Sequence, residues 1–121
     1  MQKDKFTAAV EALEHALSFE GKIGKDEFYF SGIAKSFEVA FEYGWKYLKV
    51  AVEESGLGAP SPRDAIKQAA KISLLDDPEL WLECLRVRNV AVHDYLGISR
   101  EAYLKLIHAY FRSAKKLLNS Q

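Results

Sequence analysis

Cysteine occurs once in this chain, at Cys84, so no intrachain disulfide can form. A lone thiol suits a reducing compartment, and the expected location is cytoplasmic. Charge of one sign is missing as well: 17 basic side chains face 17 acidic ones, for a formal net charge of zero. Coating nucleic acid or anionic membrane by bulk electrostatics needs excess Lys and Arg, so only a local basic patch stays open. No run of about 18 apolar residues occurs, which removes a membrane-spanning helix. The opening Met1-Gln2-Lys3-Asp4-Lys5 leads into no apolar stretch of the signal-peptide kind. Gly56-Leu57-Gly58 sits among loop residues with no strand before it, so no P-loop or dinucleotide fingerprint exists. One cysteine and no paired histidines exclude structural zinc, and the Glu-x-x-His pairs of di-metal bundles do not occur. No metal and no cofactor is expected.

What is present is helical periodicity. With 121 residues, 49% of them hydrophobic, the chain is long enough for one core and too short for two, so residues 1–121 are expected to form one domain. From about Lys3 to Phe19, the residues Phe6, Val10, Leu13 and Leu17 fall on one stripe, and Gly21 and Gly24 punctuate its end. The longest segment, about Asp26 to Ser55, carries Ile33, Phe37, Ala40, Phe41, Gly44, Tyr47, Leu48 and Ala51 in a helical row. Breakers then crowd residues Ser55 to Pro62 into a loop. Ser61-Pro62-Arg63-Asp64 reads as a capping box opening a short helix to about Ser73. Asp77-Pro78-Glu79 repeats that start chemistry for a helix reaching about Val92. After Gly97, Ser99 caps a last helix with the cleanest stripe, Tyr103, Leu106, Ile107, Tyr110, Phe111, Ala114, Leu117 and Leu118. The expected fold is all-α: an antiparallel, up-and-down four-helix bundle with one additional short helix.

Chemistry concentrates in Arg86-Val87-Arg88-Asn89-Val90-Ala91-Val92-His93-Asp94-Tyr95. Two guanidiniums, an amide, an imidazole, a carboxylate and a phenol fall within ten residues at a helix end. On an ideal helix Arg88 and Tyr95 share a face, while Arg88 and His93 stand about 140° apart, so convergence needs a bent helix end or a second subunit. Taken singly, these residues have ordinary explanations. Arg86 fits a solvated face beside Glu79 or Glu83, Asn89 fits a backbone partner, and a histidine near a helix C-terminus is favoured by the dipole. Together they are the parts of phosphodiester chemistry: a phosphate-binding cation, a titratable imidazole and a phenol. Elsewhere the ordinary reading wins. His15 and His108 flank apolar stripes, and the row Phe37, Phe41, Tyr43, Trp45 and Tyr47 has core spacing. Cys84 reads as a small buried side chain. Asp76, Asp77 and Glu79 read as helix-start carboxylates. Lys105, His108, Arg112, Lys115 and Lys116 make a solvated basic face, with a phosphate-backbone groove as the sharper alternative.

The spacing Arg88, four residues, His93, one residue, Tyr95 resembles the signature of HEPN domains (higher eukaryotes and prokaryotes nucleotide-binding). More narrowly, the chain is similar to the small proteins called nucleotidyltransferase substrate-binding proteins. The supporting blocks are Phe37-Glu38-Val39-Ala40-Phe41-Glu42-Tyr43-Gly44-Trp45-Lys46, then Ser61-Pro62-Arg63, then Trp81-Leu82. The resemblance implies a HEPN-like bundle that forms a homodimer and partners a minimal nucleotidyltransferase. It implies two functions in rank order. In the first, the chain is the accessory, substrate-binding subunit of that transferase, with Arg88, Asn89, His93 and Tyr95 lining a cleft for a nucleotide or an RNA phosphate. In the second it is a HEPN toxin, a metal-independent RNase. Arg88 then holds the scissile phosphate, His93 moves a proton at the ribose 2′-hydroxyl, and the transferase silences both by adenylylating Tyr95.

Overall fold

A computed structural model describes residues 2–91 and 98–120 of the chain. Its helices are α1 (Gln2–Leu17), α2 (Glu27–Glu54), α3 (Pro62–Lys71), α4 (Pro78–Ala91) and α5 (Arg100–Asn119), with a 3₁₀ turn at Glu20–Lys22. The described residues contain no strand. Each predicted helix is present within two residues of its expected bounds, and the 3₁₀ turn falls where Gly21 and Gly24 interrupt the pattern.

Local chemistry starts and stops these helices. The Asp26 carboxylate accepts the Phe28 N–H at 2.9 Å, and the Ser99 hydroxyl oxygen accepts the Ala102 N–H at 3.0 Å. Ser61 accepts the Asp64 N–H at 3.1 Å while its own hydroxyl donates to the Asp64 carboxylate at 2.7 Å. The predicted box therefore closes between side chains, because Asp is shorter than the usual Glu. At the other ends, α2 and α3 stop in the same Schellman pattern. Leu57 N–H reaches back to Val52 O at 3.2 Å, and Leu74 N–H to Ala69 O at 2.9 Å. The pivot is Gly56 in one case, with φ of 88°, and Ser73 in the other, with φ of 61°.

Ring contacts fix the helix directions. Phe6 of α1 lies 5.4 Å from Tyr47 near the end of α2, and Phe19, just past α1, stacks at 5.7 Å on Tyr29 near the start of α2, so the pair is antiparallel. Tyr103 of α5 meets Phe30 and Phe37, and Tyr110 one step further on meets Phe37 and Phe41, so α5 runs with α2. Helix α4 packs on α5, and the short α3 packs on α2 and α4. The result is the expected up-and-down bundle with α3 as its extra helix. Its core is built on Phe6, Val10, Leu13, Ile33, Phe37, Phe41, Trp81 and Tyr110, all at or below 1% exposure. Each such side chain contributes about 1.5–3 kcal/mol on burial. Gly44 lets the helices close. A Cβ there would collide with the Tyr110 hydroxyl and sit 3.1 Å from the Trp81 ring. No described helix is long and apolar enough to cross a membrane.

Candidate functional site on the last turns of α4

Helix α4 carries a polar group at each end. At its start, the Trp81 indole N–H donates to Ser113 of α5 at 2.8 Å, and the Ser113 hydroxyl donates to the Asp77 carboxylate at 3.0 Å. Burial raises the Asp77 carboxyl above its ordinary value against the pull of that hydroxyl, and the neighbouring Asp76 charge adds to the rise. Asp77 was expected to act as a helix-start carboxylate. It also closes a polar chain from α4 to α5, which spacing within α4 cannot reveal.

At the other end, Arg88 leaves α4 with 23% of its side chain exposed. Its guanidinium donates to the Glu42 carboxylate of α2, and its carbon centre lies 5.7 Å from the Phe41 ring centroid. Glu42 has further partners on its own helix: the Trp45 indole N–H at 3.1 Å and the Lys46 ammonium at 3.4 Å. Burial pushes the Glu42 carboxyl upward, but the Trp45 N–H, Arg88 and Lys46 together outweigh it and hold the group below its ordinary value. Asn89 is exposed, with its amide oxygen 3.4 Å from the Arg88 guanidinium. A cation on an aromatic floor, open to solvent on one side and held by an exchangeable carboxylate, is a competent phosphate seat.

Of the expected site residues, the structure brings Arg88 and Asn89 together. His93 and Tyr95, with Asp94 between them, lie outside the described residues. Sequence reasoning gave Glu42 no role. Its signal was the spacing of Glu42, Trp45 and Lys46, which puts an acid, an indole and a cation on one helix face. The other candidates resolve as their ordinary readings predict. Arg86 pairs twice with Glu83 at 2.8 Å on an exposed face. Cys84 is fully buried, and burial pushes its thiol far up, away from the reactive range. His15 packs edge-on against Phe19 at 5.1 Å, and His108 pairs with Glu20 at 2.5 Å. In the aromatic row Phe37 and Phe41 are buried, while Tyr43, Trp45 and Tyr47 are half-buried against the core. On the basic face of α5, Lys116 is paired with Asp76. No metal-holding group of three His, Cys, Asp or Glu side chains exists among the described residues.

The sequence matches the family model described as nucleotidyltransferase substrate binding protein like over residues 2–121. The chain belongs to this family. Among solved structures, it is similar to a tri-AMPylated HEPN toxin of Shewanella oneidensis in complex with MNT antitoxin. The match has a TM-score of 0.80 and 12% identity, and covers 98% of this chain and 91% of the other. That likeness establishes the HEPN fold for this family member. No curated protein sequence matches it.

Proposed function

We propose that this chain is the accessory, substrate-binding subunit of a minimal nucleotidyltransferase. It acts in the cytoplasm as a homodimer of single-domain protomers spanning residues 1–121. A nucleotide or RNA phosphate is held at the Arg88-x4-His93-x-Tyr95 motif. The observation that carries the reading is the Arg88 guanidinium on the Phe41 ring, half-buried and opposed by Glu42 alone among the described acids. An arriving phosphate exchanges with the Glu42 carboxylate, presenting two oxygens to a planar fork already oriented by the ring beneath it. Asn89 adds an amide beside the same guanidinium. His93 and Tyr95 add an imidazole and a phenol to the lining of that cleft, and the second protomer brings the same set across it.

A second reading is favoured by the fold neighbour, an AMPylated HEPN toxin bound to its antitoxin. In that reading the chain is a metal-independent RNase, and the partner transferase silences it. The Tyr95 phenol oxygen attacks the α-phosphorus of ATP, pyrophosphate leaves, and the bound AMP sets its phosphate against Arg88. The test is the intact mass of the protein after incubation with its partner transferase and ATP. The toxin reading expects gains of one or more AMP units that disappear in Tyr95→Phe. An unchanged mass, together with no RNA cleavage by the protein freed from its partner, removes the toxin reading and leaves the accessory-subunit reading.

A further inference from the structure

A second cleft, with a volume of about 290 Å³, opens between the start of α2 and the start of α5. Glu27, Phe30 and Ser31 line it from α2, and Ser99, Arg100 and Tyr103 from the α5 side. The Arg100 guanidinium carbon lies over the Phe30 ring, 4.3 Å from its centroid. Glu27 locks the plane with two hydrogen bonds, at 2.6 and 2.5 Å. Phe30 in turn stands edge-on against the core ring of Tyr103 at 6.0 Å. The guanidinium therefore sits over one aromatic ring and is held by one carboxylate through two bonds, on a side chain that is 45% exposed. Glu27 cancels its charge, so the seat is poor for an anion and good for a flat π-surface.

We propose that this cleft is a nucleobase seat, in which an unpaired RNA base stacks on the free face of Arg100. Ser31 and Ser99 also line the cleft and offer hydroxyls to the base edge. The proposal rests on the Arg88 phosphate reading, which supplies the nucleic acid. Phe30 and Glu42 are twelve residues apart on α2, or about 18 Å along the helix axis, further than one mononucleotide reaches. Both seats are filled together only by a strand of several nucleotides.

The test compares two labelled probes by fluorescence anisotropy: a single-stranded oligoadenylate and an abasic ribose-phosphate strand of equal length. The wild-type chain should bind oligoadenylate about tenfold tighter than the abasic strand, the gain of stacking one base. Arg100→Lys keeps the charge and the Glu27 pair but loses the planar face. It should erase that preference while leaving abasic binding unchanged. Phe30→Leu, which removes the floor and keeps an apolar side chain, should do the same. A preference retained in both variants overturns the base seat alone, with Arg88→Ala still abolishing binding to either strand. Wild-type protein that binds neither strand overturns the RNA form of the Arg88 phosphate reading as well. Free AMP displacing oligoadenylate at equal nucleotide concentration, in an Arg100-dependent way, overturns the requirement for a strand.

Discussion

The two ends of α4 each set a polar side chain against buried aromatic rings, in opposite surroundings. At the start, Trp81 is fully buried, packs 4.9 Å from Tyr110 and passes its N–H to Ser113 and on to Asp77. At the end, Arg88 also rests on a ring, but its partner Glu42 is 37% exposed and is shared with Trp45 and Lys46. A chain that starts on a fully buried indole and ends on a half-buried carboxylate holds one geometry, because leaving the indole N–H unpaired costs its full desolvation penalty. A half-wet ion pair contributes little net stability and exchanges partners readily. One end of the helix therefore specifies the fold, and the other carries the proposed phosphate seat.

This contrast can be broken by substitution. Trp81→Ala should have the largest effect, destabilising the protein by about 3–5 kcal/mol through the cavity it leaves, read as a lower urea midpoint. Gly44→Ala, which pushes a methyl into Tyr110 and Trp81, should cost about 1–3 kcal/mol in the same measurement. Acidity sharpens the contrast, because the carboxyls at the two ends shift in opposite directions. Asp77 is raised by burial, so its stabilisation is full at low pH and is lost as pH rises through its folded value. Glu42 is held low against its burial, so its contribution is full above its unfolded value and is lost as pH falls. Compared with wild type, Glu42→Gln should lose less stability on acidification below about pH 4, and Asp77→Asn less on neutralisation above about pH 4. Urea midpoints across that range check both signs. The smallest effect is at the approach to α4. Ser73 holds a left-handed angle at the end of α3 where the equivalent position after α2 is Gly56, so Ser73→Gly should stabilise by about 0.5 kcal/mol.

Much of this architecture was legible in the sequence because its causes are local. Caps at Ser61 and Ser99, the breaker-rich loop from Ser55 to Pro62 and the stripes of α2 and α5 act over three to seven residues, the range that spacing reports. Of the Arg-x4-His pattern, Arg88 falls on the last turns of α4, while His93 lies outside the described residues. What spacing left silent is pairing across helices. Arg88 meets Glu42 over 46 residues, Ser113 meets Asp77 over 36, and Arg100 meets Glu27 over 73. Those partners depend on the axial register of packed helices, which is settled by how Phe37, Phe41, Trp81 and Tyr110 interlock around Gly44.

The most direct test of the division between the ends of α4 is to measure RNA-strand binding and urea stability on the same Arg88→Ala protein. The account predicts that strand binding is lost while stability falls by no more than about 1 kcal/mol, the scale of a half-exposed ion pair. A protein that binds as before but unfolds several kcal/mol more easily would make Arg88 a structural residue like Trp81, and would contradict the account.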